Sequence, residues 1–277
     1  MEKWKELEFD YAQRLRQVGL TERRPLYGEA YTTVYKFKQF PGRLPEERTA
    51  GTSRALVELL LGVLGEEERV LEVGCGRGYT CLMLAPHVAA MVGTDVSETA
   101  LAEATAVLAQ YGRRNATVYN VSAFGLDEHF APEQFSTVVS IEVVEHLHPE
   151  DAEEHYRQVL RLLQPGGRYI IVMPNRLNGP HDITREEYPG LAEAIGFHLN
   201  ESTYHEMGTV LTRVGYTQLC SFHPLRLGQL GMRPFFLPHW VNLLTESLYR
   251  RLPASLRLSL LENLVKIRLI AHKPAHS

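Results

Sequence analysis

The stretch at residues 70–80, VLEVGCGRGYT, decides the fold that this sequence can adopt. An apolar run gives way to the closely spaced glycines Gly74, Gly76 and Gly78, and a helical pattern follows them. A strand that turns sharply into a helix needs residues that accept positive φ angles, and glycine also lets a ligand approach the backbone. The stretch therefore predicts a strand–turn–helix unit of an α/β sheet, with a ligand beside the turn.

Beyond this turn, short β-branched runs alternate with helical patterns, which is the order typical of parallel βαβ units. Strands are predicted at residues 69–73, 90–94, 116–121, 136–141, 168–173, 216–222 and 265–272. Among the helices between them, one begins after an N-cap at Ser97 and another at a capping box formed by Thr203 and Glu206. We therefore predict an α/β fold with a seven-stranded, mostly parallel sheet and helices on both faces.

Outside the sheet, the sequence adds an N-terminal extension and an insertion. The predicted segments are a helical extension or cap, a ligand-binding core, an apolar insertion, and the last core strand with its tail: residues 1–51, 52–223, 224–264 and 265–277. The insertion is longer than a hairpin requires, and loops of that length are usually functional. We predict that it is a substrate lid in which Trp240 contacts the acceptor, with Tyr31 contributing from the extension. A homodimer surface and a peripheral membrane contact are the alternatives.

The composition limits the class of protein. The chain has 277 residues, of which 44% are hydrophobic and 22% charged, an ordinary globular balance. Its net charge of −4 gives no basic field for a nucleic acid. The three cysteines form no CxxC pair, so we expect a reduced, cytoplasmic protein. The N-terminus is too charged for a signal peptide, and the longest apolar stretch, residues 234–245, is too short to span a bilayer.

Two acidic residues indicate which ligand the glycine turn holds. Glu72 lies inside an apolar strand, where a carboxylate is costly unless it meets a cation or hydrogen-bond donors. Asp95 ends the second strand, where an acid can accept hydrogen bonds from both hydroxyl groups of a ribose. The glycine spacing departs from G-x-G-x-x-G, and Glu72 would repel a phosphate, so a nicotinamide dinucleotide is disfavoured. A ligand with a ribose and an ammonium but no phosphate, such as S-adenosylmethionine, fits.

Four motifs in order, LEVGCGRG, GTDVS, FSTVVSIEVVEHL and LLQPGGRYIIVMPN, resemble those of the class I S-adenosylmethionine-dependent methyltransferases, in particular the ubiquinone-biosynthesis O-methyltransferases. The resemblance covers residues 52–223 and implies a Rossmann-like fold with an antiparallel last strand. It implies S-adenosyl-L-methionine as cofactor and S-adenosyl-L-homocysteine as product. The cofactor residues predicted on this basis are Glu72, Gly74, Cys75, Gly76, Gly78, Asp95, Val96, Ser122, Ala123 and Ile141. Ser122 stands where the family often has an aspartate, and we expect its hydroxyl and the Ala123 amide to replace that group.

The stretch IEVVEHLHP, which follows the fourth strand, carries the candidate catalytic residues Glu142, Glu145 and His146. In a helical turn these three side chains would share one face. They could begin a helix and pack, or His146 could act as a general base that Glu145 orients. They could also bind a divalent metal, because Glu-x-x-Glu-His resembles the metal motif of the small-RNA 2′-O-methyltransferases.

The metal interpretation has support and an objection. That motif adds a downstream histidine, for which His181, His198 and His205 are available. However, the family has a second histidine directly after the first, where this chain has Leu147. We therefore predict the general base and no bound metal, and keep the metal site as the alternative.

The loop after the fifth strand, VMPNRLNGPHDITREEY, supplies polar side chains on the same edge of the sheet, and Asn175, Asn178 and His181 are predicted to contact the acceptor.

The function predicted from the sequence is methyl transfer to a small, partly hydrophobic molecule, at oxygen. The alternatives are a metal-dependent 2′-O-methyltransferase and a scaffold protein that binds the cofactor without turnover.

Overall fold

The computed structural model describes residues 2–37, 54–226, 232–253 and 265–275, which form an eight-stranded sheet with helices on both faces. The helices are α1 Lys3–Gln17, α2 Leu20–Phe37, α3 Arg54–Leu61, α4 Tyr79–Leu84, α5 Glu98–Gln110, α6 Leu126–His129, α7 Pro149–Leu162, α8 Thr184–Glu187, α9 Tyr204–Val214 and α10 His239–Arg251. The strands are β1 Arg69–Val73, β2 Ala90–Asp95, β3 Ala116–Asn120, β4 Phe135–Ile141, β5 Leu163–Met173, β6 Thr217–Arg226, β7 Met232–Pro238 and β8 Ile267–His272.

The strand order β3-β2-β1-β4-β5-β8-β6-β7 is that of a doubly wound sheet. The strands from β1 to β5 are parallel to one another, whereas β8 runs antiparallel to both β5 and β6. The predicted Rossmann-like fold with an antiparallel last strand is therefore confirmed. From β1 the chain builds outward to β2 and β3, and then returns to place β4 on the other side of β1. This change of direction leaves a crevice at the carboxyl ends of the strands, where such sheets bind ligands.

The predicted count of seven strands is wrong, because β7 forms within the segment assigned to a lid. It pairs antiparallel with β6 along its whole length, with Phe236 opposite Phe222. Aromatic residues favour strands, and Pro234 and Pro238 are tolerated because β7 is at the edge of the sheet, where an N–H group need not bond. The described residues of the insertion thus complete the far edge of the sheet, and residues 227–231 and 254–264 lie outside the described ranges.

Local signals begin and end the helices where the sequence placed them. The Ser97 side chain accepts a hydrogen bond from the amide of Ala100 at the start of α5. Thr203 and Glu206 form both bonds of a capping box at the start of α9, and Gly215, with a φ angle of 120°, ends that helix. None of the helices in the described ranges has the length and hydropathy that crossing a membrane requires.

A buried ion pair joins α2 to α7. Arg23 Nε donates to Asp151 Oδ2 at 2.8 Å, and the two side chains are 3% and 0% exposed. The hydroxyl of Tyr27 donates to the same carboxylate at 2.9 Å and accepts the amide N–H of His148 at 2.8 Å. The N-terminal helices are thereby held against the turn that links β4 to α7.

We predict that Asp151→Asn destabilises the fold strongly, because it removes the only one of the two acids paired with the Arg23 guanidinium that is itself buried. Breaking such a pair costs about 3–5 kcal/mol. Glu150→Gln is the matched control, since Glu150 also contacts Arg23, at 2.6 Å, but its side chain is 70% exposed. An exposed pair contributes about 0–1 kcal/mol. Urea unfolding measures both free energies, and equal losses in the two variants would contradict the assignment.

Candidate active site

An open cavity of about 140 Å³ lies at the carboxyl ends of β1, β2 and β4. The lining residues are Tyr27, Tyr31, Val73, Gly74, Gly76, Asp95, Val96, Val121, Ala123, Phe124, Glu142, Val143, His146 and Leu147. The cavity therefore joins the crevice of the sheet to the N-terminal helix α2.

The glycine turn forms one wall of this cavity. Gly74 has a φ angle of 71°, and a Cβ atom added there would lie 2.4 Å from a methyl carbon of Val143. Gly76 has a φ angle of 51° and open space where its Cβ would be. Gly74 therefore lets the turn after β1 approach the turn after β4, and Gly76 exposes backbone to the cavity.

Asp95 connects the glycine turn to the start of α5. Its Oδ2 accepts the amide N–H of Gly76 at 2.8 Å, and its Oδ1 accepts that of Ser97 at 2.8 Å. Burial raises the pKa of the Asp95 carboxyl, although the backbone N–H groups of Ser97, Gly76 and Val96 oppose that rise. Each carboxylate oxygen keeps a second lone pair that can accept a ligand hydroxyl. Asp95 thus shapes the cavity and can also bind within it.

Several predicted cofactor residues do not line the cavity, namely Glu72, Cys75, Gly78, Ser122 and Ile141. The carboxylate of Glu72 accepts from the Cys81 thiol at 3.0 Å and is 3% exposed. Burial raises the pKa of Glu72 to about 7, against opposing hydrogen bonds from Cys81 and Thr80. The hydroxyl of Ser122 accepts the amide N–H of Phe124 at 3.3 Å. Glu72 and Ser122 therefore stabilise the turns after β1 and β3 from outside the cavity.

Helix α7 positions the loop between β3 and α6, which carries three cavity residues, Val121, Ala123 and Phe124. Burial lowers the pKa of His155 to about 4, so its imidazole is neutral. Its Nδ1 lies 2.9 Å from the carbonyl oxygen of Ala123, and its Nε2 lies 2.8 Å from the Tyr169 hydroxyl. Gln158 Nε2 donates to the carbonyl of Phe124 at 2.9 Å. These contacts come from a helix more than 20 residues further along the chain, so no local pattern in the sequence predicts Phe124 as a cavity residue.

The turn after β4 is not the α-helical turn considered for the candidate catalytic residues. Glu142 directly follows the strand and has a φ angle of 53°, and a 3₁₀ turn follows at Val144–His146. Glu142 Oε1 accepts from the Lys266 ammonium at 2.8 Å. A non-glycine residue at positive φ carries about 1–3 kcal/mol of strain, and such strain concentrates at functional sites. The strain here lies on the wall of the cavity.

Glu145 is fully buried, and no described residue donates a hydrogen bond to either of its carboxyl oxygens. Burial raises the pKa of Glu145 well above its usual range, and the neighbouring charge of Glu142 raises it further. Two imidazoles are also close to it, because the ligand atoms of Glu145, His146 and His198 all lie within 4.8 Å of one another. The carboxyl must therefore keep its proton or face a cation.

His146 lies between the first cavity and a second one. The rings of His146 and His198 are 4.7 Å apart at an angle of 81°, and Nδ1 of His146 lies 3.2 Å from the carbonyl oxygen of Phe197. Tyr31 and His146 line both cavities. The other residues of the second cavity are Glu2, Trp4, Lys5, Glu8, Val34, His181, Asp182, Ile183, Glu186, Phe197 and His198. The side chain of His146 can therefore contact molecules in either space.

One buried carboxylate, Glu201, holds two histidines of the second cavity. It is 4% exposed and lies 2.6 Å from Nδ1 of His198 and 3.2 Å from Nδ1 of His181. Burial alone would raise the pKa of Glu201, but the hydrogen bonds from His181 and His198 prevail and lower it to about 2. An imidazole that donates from Nδ1 presents Nε2 as an acceptor or ligand. No local pattern in the sequence identifies Glu201.

The predicted acceptor residues divide into two groups. His181 lines the second cavity. Asn175 is fully buried, and its amide donates to Glu246 of α10 at 2.6 Å, so its contacts are structural. Asn178 lines neither cavity, and Trp240, which is 65% exposed on α10, also lies outside their linings. The described part of the predicted lid therefore does not cover the site.

Residues 70–167 match the profile of a family described as "Methyltransferase domain". The chain is 29% identical over 168 residues to a probable S-adenosylmethionine-dependent methyltransferase of Mycolicibacterium smegmatis, covering 59% of each protein. It is 33% identical over 128 residues to the 2-heptyl-1-hydroxyquinolin-4(1H)-one methyltransferase of Mycobacteroides abscessus, covering 43% of this chain and 54% of that protein. It is 33% identical over 109 residues to the ubiquinone biosynthesis O-methyltransferase of Pseudomonas fluorescens, covering 39% of this chain and 45% of that protein. The matches span about half the length of these relatives.

The fold is similar to that of solved proteins. The YcgJ protein from Bacillus subtilis superposes with a TM-score of 0.52 at 17% identity, over 79% of this chain and 97% of that one. At such identity the likeness concerns the fold alone. Residues 70–167 therefore match a methyltransferase domain on a Rossmann-like fold, and the relatives that this chain resembles include S-adenosylmethionine-dependent methyltransferases.

Proposed function

We propose that the protein transfers a methyl group from S-adenosylmethionine to an oxygen atom of a small, partly hydrophobic acceptor. The observation that carries this proposal is the position of His146, which lines both the cavity at the glycine turn and the cavity beside it. A base therefore stands where cofactor and acceptor would meet. The names of two relatives, a hydroxyquinolone methyltransferase and a ubiquinone biosynthesis O-methyltransferase, support an oxygen acceptor on an apolar ring.

The first cavity offers the groups that the cofactor requires. The Asp95 carboxylate can accept the ribose hydroxyls, and Val96 provides an apolar contact beside the adenine. Gly74 and Gly76 allow the methionine part to approach the backbone. When bound, S-adenosylmethionine supplies an electrophilic methyl group.

The second cavity offers the groups that an acceptor requires. Phe197 and Tyr31, whose rings are 5.0 Å apart, provide an aromatic wall beside His146. If Nδ1 of His146 donates to the carbonyl oxygen of Phe197, Nε2 carries the lone pair. That nitrogen can take the proton that an acceptor hydroxyl loses on methylation. Glu145, protonated and buried beneath it, would support the ring without competing for that proton.

We predict that Asp95→Ala weakens binding of S-adenosylhomocysteine at least about tenfold, because each lost hydrogen bond to a charged group contributes about 1.5–3 kcal/mol. Ser97→Ala is the control. It removes the N-cap of α5, a loss of about 1 kcal/mol of stability, but leaves the ribose acceptor in place. Calorimetric titration measures the affinities and urea unfolding the stabilities. An unchanged dissociation constant for Asp95→Ala would remove this residue from the cofactor site.

We predict that His146→Ala lowers the turnover number by about 10²–10⁴, the usual contribution of a positioned base, and barely changes the affinity for S-adenosylhomocysteine. The acceptor for this assay comes from a metabolite panel incubated with isotopically labelled cofactor and scored by product mass. His148→Ala is the matched control, since that ring lies 3.7 Å from Glu150 and lines neither cavity. A loss below about threefold for His146→Ala would exclude general base catalysis by this residue.

A second candidate function, metal-dependent O-methylation, is favoured by the cluster of Glu145, His146 and His198. A buried carboxyl without a hydrogen-bond donor, close to two imidazoles, has the donor set of a divalent transition-metal site. The contact from Glu201 to Nδ1 of His198 leaves Nε2 available as a ligand, as in many metal sites. The set differs from the one considered in the sequence, because Glu142 pairs with Lys266. A bound metal would lower the pKa of the acceptor hydroxyl.

The two candidates differ in a calorimetric titration of Mn²⁺ into protein dialysed against a chelator. The metal candidate predicts binding by the wild type that Glu145→Gln and His198→Ala both abolish. It also predicts that chelator suppresses turnover. His181→Ala is the matched control, because His181 contacts the same Glu201 carboxylate but is outside the cluster. Absence of Mn²⁺ binding by the wild type would eliminate this candidate and leave His146 as the base.

A further inference from the structure

We propose that the outer face of α10 docks the protein on an anionic lipid bilayer surface. We define the α10 face by three apolar side chains of this helix, Trp240, Leu244 and Leu248, together with Leu225, Arg233 and Arg251. The proposal is independent of the methyl transfer proposed above, since no described residue of this face lines either cavity.

Helix α10 turns three large apolar side chains toward solvent and buries two polar ones. Trp240, Leu244 and Leu248 occur at every fourth position, so they form one stripe, and they are 65%, 54% and 56% exposed. The inward side carries polar Asn242 and Glu246 together with Tyr249, which are 3%, 2% and 4% exposed. A helix that only packs on its own protein turns its apolar side inward. The stripe on α10 therefore indicates an external apolar partner.

Hydrogen bonds fix this orientation of α10. Glu246 accepts the backbone N–H groups of Tyr204 and His205 at the start of α9, at 2.6 and 3.2 Å. Asn242 Oδ1 accepts from the hydroxyl of Ser221 on β6 at 2.9 Å. Turning the apolar stripe inward would break these buried contacts, which is costly. The stripe is consequently held outward by the fold.

The neighbouring strands extend the face. The ring of Phe235 lies 5.4 Å from that of His223, and His223 bonds the same Ser221 hydroxyl that contacts α10. Alternate residues of a strand point to the same side of the sheet. Leu225, which is 44% exposed, and its partner Arg233 therefore lie on the side of the sheet that α10 covers.

The charges around the apolar stripe indicate which kind of partner would bind the α10 face. Residues 217–253 contain four arginines, all exposed, and a single acid, the buried Glu246. The whole chain has a net charge of −4, so the acids are concentrated elsewhere. Arg251 lies one turn after Leu248, at the end of the stripe. Apolar side chains, with a tryptophan, flanked by arginine match the boundary between headgroups and acyl chains of an anionic membrane.

A second copy of the chain fits this face less well. Pairing through the edge strand β7 is impeded because Pro234 and Pro238 lack N–H groups and Arg233 adds a charge. Two copies packed face to face would bury arginines without exposed acids to receive them. The helix has 13 residues, too few to span a bilayer, so it would lie in the plane of the interface.

The test is co-sedimentation of the full chain with vesicles of phosphatidylcholine alone or with about one third phosphatidylglycerol. We expect binding to the anionic vesicles that decreases as ionic strength rises. The double variant Leu244→Ser with Leu248→Ser should bind at least about tenfold more weakly. Arg251→Glu should weaken binding to anionic vesicles only. Leu191→Ser, at a leucine that is 45% exposed on another loop, is the matched control and should bind as the wild type does.

Retention of S-adenosylhomocysteine binding shows that each variant is folded, so failure of this proposal is separate from failure of the proposed function. Fluorescence of Trp240, in a Trp4→Phe background, should shift to shorter wavelength with anionic vesicles and stay unchanged with neutral ones. Absence of vesicle binding at low ionic strength, or equal binding to both lipids, would overturn the proposal. So would a dimer in solution that the double leucine variant dissociates, since the face would then be a contact between copies.

Discussion

The rest of the site depends on the carboxylate of Asp95, which accepts backbone N–H groups from both the glycine turn and the start of α5. These two bonds hold the turn after β1 in the conformation that exposes Gly76 to the cavity. The close approach of Gly74 to Val143 then sets the distance between the turns after β1 and β4. The crevice of the sheet is therefore shaped before any ligand enters, and a preformed site of this kind loses little free energy to reorganisation on binding.

Around this preformed crevice, buried acids are placed in contrasting environments. Glu201 receives hydrogen bonds from two imidazoles, and its pKa falls to about 2, whereas Glu145 receives none from a described residue and its pKa rises well above its usual range. The Glu201 carboxylate is thus ionised and holds His181 and His198, whereas the Glu145 carboxyl must keep a proton or pair with a cation. Both acids lie near His146, which lines the two cavities. Glu201 contacts His198, whose ring is 4.7 Å from that of His146, and the ligand atoms of Glu145 and His146 lie within 4.8 Å of each other. Whether Glu145 meets a proton or a metal separates the two candidate chemistries.

The parts outside the sheet take different roles. Helix α2, held by the buried pair of Arg23 and Asp151, brings Tyr27 and Tyr31 to the cavity, so the N-terminal segment helps to build the site. The described residues of the segment after β6 do not line the site. Instead, β7 and α10 extend the far edge of the sheet and expose an apolar stripe there. The site for small molecules, at β1, β2 and β4, and the surface proposed for a membrane, at β6, β7 and α10, are thereby separated along the sheet.

The sequence by itself determined the α/β sheet apart from β7, the order of its strands and helices along the chain, and the predicted cofactor residues Gly74, Gly76 and Asp95, which line the first cavity. These follow from contiguous patterns, since glycine spacing, β-branched runs and helix caps act over a few neighbouring residues. Only the tertiary structure decided that Glu72 faces Cys81 instead of the cavity, and that His198, held by Glu201, lies beside His146. It also decided that β7 pairs with β6. Such contacts arise where loops and strand edges distant in the chain converge, and side-chain direction there is set by burial and hydrogen bonding between segments, which no local period in a sequence encodes.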